Sequence, residues 1–466
     1  MKTMQRWMSV GGVTGLAAVL FWSGAAAMPV AVGAEPASGL ILKKGDRVAF
    51  VGDSITEQKL YSKFIDTYLV ACVPQLDLSA VQFGWSGETA GGFAARMEND
   101  LTPWKATVVT TCYGMNDGGY QPYTEAIGAN YRQNMSNIVS RLKQAGVTVV
   151  VGSPGAVDAT AFRPVPEDPR KNSTMYNDTL AHLAEIDRAL AAQFGFPFAN
   201  VHTNMILAMG KAKAALGDAY HVGGGDGVHP SGNGQLVMAY SFLKAMGLDG
   251  EIGTITVDWT GQATASDGHK ILSSAQGKVE IESARYPFCF SRGSGEKDPN
   301  GTAGILPFLP FQDDLNRFVL VVKNFPAAQA DVTWGKEKKA FTREQLAKGI
   351  NLAAEFTPNN PFSDPFGRVM DAVGQKQDFE TRIIKGIMTN FRQLDSERKE
   401  DPQIASALDV IRQKLMKEHA TYAEKVRAAI VPVKHVIEIA PASYNVLTMA
   451  GSGLALTAKY AWTRGR

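Results

Sequence analysis

Cysteine is scarce in this chain: Cys72, Cys112 and Cys289 are the three present among 466 residues. An odd count leaves at least one thiol unpaired, and so few exclude a disulfide scaffold. One bridge is the most the count allows, and three buried small residues is the simpler expectation. No CxxC pair and no Cys/His cluster is present, so no metal site of the zinc type is expected, and no residue pattern calls for a cofactor. Charge of one sign is also lacking: Lys and Arg exceed Asp and Glu by 47 to 45, a formal net charge of +2. That balance offers no electrostatic support for nucleic acid or an anionic membrane as partner. Extremes of composition are missing as well. With 45% hydrophobic and 20% charged residues, neither disorder nor a collagen-like repeat is expected.

The one long apolar run lies at the start. Lys2 and Arg6 precede a stretch from Met8 to Ala27 that carries Gly11, Gly12 and Gly15 and ends in Gly24-Ala25-Ala26-Ala27. This is the pattern of a secretory signal peptide, residues 1–34 at most, with cleavage after Ala27 or Ala34. The expectation is export, to a bacterial periplasm or the extracellular space, with no stable membrane span in the mature protein. Removing Lys2 and Arg6 takes the formal charge from +2 to 0.

From Asp46 to Gly247, short β-rich runs alternate with longer amphipathic ones. Val48 to Val51, Ala80 to Phe83, Thr107 to Cys112, Val147 to Val151 and Phe198 to Val201 read as five buried strands. Lys59 to Val70 and Tyr131 to Ala145 carry apolar residues at helical spacing. Such alternation over about 200 residues indicates a parallel sheet covered by helices on both faces. After Gly247 the texture changes. Ile252 to Trp259, Val279 to Ser283, Phe318 to Lys323 and Ala330 to Trp334 read as antiparallel strands, and Val433 to Ile439 returns to strand character. Between them Ile404, Leu408, Ile411, Leu415, Tyr422, Val426 and Ile430 form a helical stripe, expected to pack internally. The organisation expected is therefore an α/β domain over residues 40–250 and a β-rich accessory domain over 251–442. The second would carry inserted helices at about 365–431, and residues 443–466 form a tail whose role the sequence does not indicate.

Val51-Gly52-Asp53-Ser54-Ile55-Thr56 falls where the first strand gives way to the first helix. Taken alone, Ser54 is as well read as a helix N-cap. Three later strand-end segments change its weight: Gly84-Trp85-Ser86-Gly87-Glu88-Thr89, Gly114-Met115-Asn116-Asp117 and Gly225-Asp226-Gly227-Val228-His229-Pro230. In a doubly wound sheet the carboxyl ends of the strands share one rim, so these loops can converge on one crevice. His229 follows Asp226 by three within one of these strand-end segments. A serine hydroxyl needs a base to attack an acyl carbon, and the base needs an acid to hold its tautomer. Ser54, His229 and Asp226 can fill those positions. Asp53 and Asp117 are expected to brace their loops. Trp85, Tyr113, Met115 and Tyr120 flank the motifs and are possible lining of a substrate pocket.

These four blocks, in this order from Gly52 to His229, resemble those of the SGNH/GDSL hydrolases. The resemblance implies a flavodoxin-like three-layer α/β/α sandwich, a catalytic triad of Ser54, Asp226 and His229, and an oxyanion hole formed by Ser54, Gly87 and Asn116. The β-rich half is similar to extensions on secreted bacterial members and carries no catalytic motif. The function implied is a serine esterase acting through an acyl-serine intermediate on a small-molecule or polysaccharide ester, with O-acetylated carbohydrate as the first choice. Lipid esterase, lysophospholipase or thioesterase activity is the alternative within the class. Glycan binding or acyl transfer on the same fold is the alternative outside it.

Overall fold

The computed structural model describes residues 39–162, 173–275 and 277–442. The signal-type segment and the tail at 443–466 lie outside the described residues. Five strands, β1 (Arg47–Gly52), β2 (Ser79–Gln82), β3 (Val108–Cys112), β4 (Thr148–Gly152) and β5 (Phe198–Ala199), form one parallel sheet in the order β2-β1-β3-β4-β5. β3 is buried along its whole length, which is why it reads as a continuous run rather than an alternating one. Successive residues of β1 point to opposite faces. Val48 and Phe50 enter one apolar core with Tyr61 and Leu236; Ala49 and Val51 enter another with Phe93, Tyr131 and Leu183. Helices Tyr61–Thr67 and Gly232–Ala245 thus cover one face, and Ala90–Asp100, Glu125–Gln144 and Ser173–Phe194 the other. This is the three-layer α/β/α sandwich. β5 ends at Ala199, two residues short of the expected limit, because the Asn200 side chain accepts from the Thr203 N–H and starts the helix Val201–Leu216.

The second half contributes β6 (Glu251–Asp258), β7 (Ala263–Ala265), β8 (His269–Ala275), β9 (Lys278–Ser283), β10 (Arg317–Lys323), β11 (Gln329–Trp334), β12 (Glu337–Thr342), β13 (Ile350–Asn351) and β14 (Val433–Pro441). They form a sheet ordered β13-β10-β6-β7 and another ordered β12-β11-β14-β9-β8. The expected antiparallel pairing fails at one place: β6 and β10 run parallel, from Arg317 beside Glu251 to Lys323 beside Asp258. The chain between them is long enough for a crossover, which a two-residue hairpin would not permit. Cys72, Cys112 and Cys289 are all free and buried.

The inserted helices, Ser363–Gly386 and Pro402–Ala429, pack on the parallel sheet's layer. Phe379, Ile383, Met388 and Leu408 share a core with Phe93, Met97 and Trp104. Of the expected stripe, Leu408 and Val426 are buried, whereas Ile411 is 43% exposed. β2 is an edge strand with unpaired main-chain groups, and the first inserted helix satisfies two of them. Lys376 Nζ donates to the Ala80 carbonyl at 2.6 Å, and the Gln82 N–H donates to Glu380 Oε2 at 3.0 Å. Lys376 also pairs with Asp66 at 2.9 Å and Glu380 at 2.8 Å, and His419 Nε2 lies 2.7 Å from Glu380 Oε1. The change of texture near residue 250 marks a change of sheet within a continuous core: Phe50 and Leu236 belong to the same apolar cluster as Phe288, Phe318 and Trp334. All described residues fall within one compact unit.

Candidate active site

β1 ends at Gly52, and Asp53 caps the short helix Ser54–Glu57, its Oδ1 accepting from the Ile55 N–H at 2.9 Å. The capping role therefore belongs to Asp53, which leaves the Ser54 hydroxyl for another partner. That partner is His229: Ser54 Oγ lies 2.8 Å from its Nε2, across 175 residues of sequence. On the other side of the ring, Nδ1 is 2.7 Å from Asp226 Oδ2. Asp226 Oδ1 accepts from the Val228 and His229 N–H groups, both at 2.9 Å. A carboxylate can only accept, so the ring carries its proton on Nδ1 and offers Nε2 to the serine O–H. Burial raises the Asp226 carboxyl somewhat, but the hydrogen bonds from His229 and Val228 outweigh it and hold the group below its ordinary value.

The loop that carries Asp226 and His229 is fixed from outside. The Asp158 N–H donates to the Gly227 carbonyl at 2.8 Å, and Asp158 Oδ2 accepts from the Val222 N–H at 3.2 Å. Gly227 has φ +77°, and a Cβ there would come 2.2 Å from the Phe162 nitrogen. Left-handed backbone and close approach both require glycine.

Gly87 and Asn116 sit on the two neighbouring loops. Gly87 has φ +74°, and its N–H has no acceptor among the described residues. Asn116 gives one Nδ2 hydrogen to the Glu88 carbonyl at 3.0 Å, while the Tyr120 hydroxyl donates to Asn116 Oδ1 at 3.4 Å. A primary amide has a second hydrogen, so Asn116 retains a donor. Behind it the Glu88 carboxylate is held by Arg96 Nε at 2.6 Å, by Arg96 Nη2 at 2.7 Å and by the Tyr113 hydroxyl at 2.8 Å. A second braced loop residue is Asp117, which accepts from the Ala90 and Gly114 N–H groups, each at 3.0 Å. Burial raises Asp117 to about 6 and Asp53 to about 7, against the backbone hydrogen bonds each receives.

The four residues expected as pocket lining divide. Trp85 is half-buried at the rim, with Arg96 and Lys385 each 5.0 Å from its ring centroid. Tyr120 is also half-buried and stacks on Phe162 and Tyr176 at 6.3 Å and 4.9 Å. Tyr113 and Met115 are corrected: both are buried. Tyr113 packs on Phe93 and spends its hydroxyl on Glu88, and the Met115 carbonyl accepts from the Tyr176 hydroxyl. Tyr113 joins the apolar core on one face of the sheet and Met115 the core on the other, a distinction that proximity to a motif cannot make.

Phe162, Asp158, Glu88 with Arg96, and the pair Glu57 and Lys385 were not anticipated. Their contacts span from 8 positions between Glu88 and Arg96 to 328 between Glu57 and Lys385, and no local pattern marks them.

Residues 50–237 match the model of the GDSL-like lipase/acylhydrolase family. An acetylxylan esterase of Geobacillus stearothermophilus is 24% identical over 226 residues, 44% of this chain and 95% of that protein. Among solved structures, a gut microbial diltiazem-metabolizing enzyme superposes with a TM-score of 0.66 at 22% identity, covering 87% of this chain and all of the other. That likeness extends the shared fold well beyond the parallel sheet. A Geobacillus stearothermophilus acetylxylan esterase structure matches 44% of this chain at 21% identity with a TM-score of 0.37. The segment from residue 50 to residue 237, with its parallel sheet and the loops that carry Ser54, Gly87, Asn116 and His229, is thus similar to the GDSL-like lipase/acylhydrolase family.

Proposed function

We propose that this protein is a serine esterase that passes through an acyl-Ser54 intermediate, and that its substrates are O-acetylated carbohydrates. The observation that carries the mechanism is the continuous hydrogen-bonded line from Ser54 Oγ through His229 to Asp226, with contacts of 2.8 Å and 2.7 Å. In this reading Ser54 Oγ attacks the acyl carbon as His229 Nε2 takes its proton, and Asp226 stabilises the imidazolium. The Ser54 and Gly87 N–H groups and the Asn116 amide receive the negative oxygen of the tetrahedral intermediate. The proton on Nε2 then passes to the departing alcohol oxygen. Water repeats the sequence, giving its proton to His229 and releasing acid and free Ser54.

The sugar ester is supported by the acetylxylan esterase relative and by the export-type N-terminus. Export would place the mature N-terminus at Met28 or Glu35, which N-terminal sequencing of secreted protein reads directly. Acetate release from acetylated xylo-oligosaccharides, compared with p-nitrophenyl esters of graded chain length, tests the substrate class. Preference for long acyl chains would point to a lipid ester instead. Ser54→Ala should abolish turnover with an unchanged melting temperature, and persistent hydrolysis in that variant would exclude Ser54 as nucleophile.

A further inference from the structure

The inserted helix Ser363–Gly386 reaches the rim of the site through one side chain. Lys385 Nζ lies 2.7 Å from Glu57 Oε1 and 2.9 Å from Glu57 Oε2. Glu57 ends the helix that Ser54 begins. The same carboxylate also reaches the next loop, where Glu57 Oε2 accepts from both the N–H and the hydroxyl of Ser86 at 2.5 Å. Ser86 immediately precedes Gly87, whose N–H faces no acceptor among the described residues. On the other side of Ser86, the Trp85 ring lies 5.0 Å from the Lys385 ammonium and 5.0 Å from the Arg96 guanidinium. A Cβ on Gly84 would stand 2.2 Å from the Glu57 nitrogen, so the two loops are in main-chain contact at the same place.

We propose that Lys385 is a positioning residue for the oxyanion-binding loop, acting through Glu57, and that the inserted helices are thereby part of the catalytic apparatus. This rests on the hydrolase reading above. Ser86 and Gly87 are exposed, and Gly87 has little side-chain packing to hold it. A main-chain donor contributes to catalysis only when it is already aimed at the developing oxyanion. The Glu57 carboxylate supplies that aim by binding the Ser86 N–H. Lys385 keeps Glu57 in place and charged: burial pushes its carboxyl up, and the bonds from Lys385 and Ser86 more than reverse this. Since Lys385 is already engaged by Glu57 and Trp85, its effect falls on the geometry of the transition state rather than on ground-state binding.

The test uses the full-length mature protein with Lys385→Met and Lys385→Arg. p-Nitrophenyl acetate gives kcat and KM, a fluorophosphonate gives the rate of Ser54 phosphonylation, and thermal melting reports the fold. Phosphonylation forms an Oγ–P bond with loss of fluoride and needs the same oxyanion donors, so it reads the loop without turnover. Lys385→Met should lower kcat roughly tenfold with KM nearly unchanged and slow phosphonylation by the same factor, since a misaimed donor loses part of the effect of a deleted one. Its melting temperature should stay put, and Lys385→Arg should recover most of the rate through its own two-pronged contact with Glu57. Unchanged kcat and labelling in Lys385→Met, or a loss that appears only as raised KM or lowered melting temperature, overturns the assignment. Wild-type protein that neither hydrolyses the ester nor labels at Ser54 would remove the hydrolase reading, and the positioning role with it.

Discussion

A single hydroxyl shows how local chemistry is divided between neighbours. A β-strand running into a helix needs a cap, and either Asp53 or Ser54 could supply it. Asp53 does so, at 2.9 Å to the Ile55 N–H, and the Ser54 oxygen turns to His229. Asn116 illustrates the same economy. One amide hydrogen is fixed on the Glu88 carbonyl at 3.0 Å, and that anchoring gives the other a defined direction. Asn116→Ala should therefore lower kcat by roughly a hundredfold or more while leaving KM close to that of the wild type, the pattern expected when a transition-state donor is lost. Steady-state kinetics on one activated ester suffices; a loss confined to KM would mean that Asn116 contacts the substrate and not the oxyanion.

At the scale of elements, the inserted helices complete the edge of the parallel sheet. β2 exposes a row of main-chain groups, and a buried lysine and glutamate on the helix Ser363–Gly386 satisfy two of them. Lys376 is 3% exposed and compensates two buried carboxylates, Asp66 at 1% and Glu380 at 0%. Removing it takes the cation from Asp66 and leaves Glu380 with His419 as its remaining ionisable partner. Lys376→Met should destabilise the protein by about 3–5 kcal/mol, the cost typical of breaking a buried pair from one side, measured by urea unfolding. A change below about 1 kcal/mol would mean that water or neighbouring groups compensate the carboxylates. The helix Pro402–Ala429 was legible from the apolar stripe, and so was β14 beyond it. The docking of the inserted helices on the parallel sheet was not, because the stripe specifies that a face is buried without specifying what buries it.

Across the whole molecule the β-rich half is joined by a buried polar chain. The Trp334 indole N–H donates to His435 Nδ1 at 3.1 Å, His435 Nε2 meets Ser283 Oγ at 2.9 Å, Ser283 Oγ meets His269 Nδ1 at 2.8 Å, and His269 Nε2 reaches the Ile252 carbonyl at 3.0 Å. An indole only donates, so His435 accepts at Nδ1, is neutral and donates at Nε2; a carbonyl only accepts, so His269 donates at Nε2, and the Ser283 hydroxyl is free to donate to its Nδ1. Burial, with His269 nearby, lowers His435 from its ordinary 6.5 to about 3, and burial lowers His269 as well. Groups that resist protonation only when folded stabilise the protein above their unfolded value near 6.5 and lose that contribution as the pH falls towards 3. Melting temperature should therefore decline from about pH 7 to about pH 4. His435→Leu should be less stable at neutral pH and show a shallower acid slope; an equal slope would exclude His435 as a source of the acid sensitivity.

The sequence by itself determined the parts whose physics is local. Buried strands appear as short apolar runs, helices as periodic faces, and the four strand-end blocks as tight turns whose residue types and short spacings are read together, with Asp226 and His229 three positions apart. Only the tertiary structure decided which side chains from distant segments meet. It paired β6 with β10 in parallel, turned Tyr113 and Met115 into the core, linked His269 to His435 through Ser283, and brought Lys385 to Glu57 across 328 residues. The physical reason is that a hydrogen bond between distant segments depends on how the whole chain closes around its core, and nothing in either segment's composition records its partner.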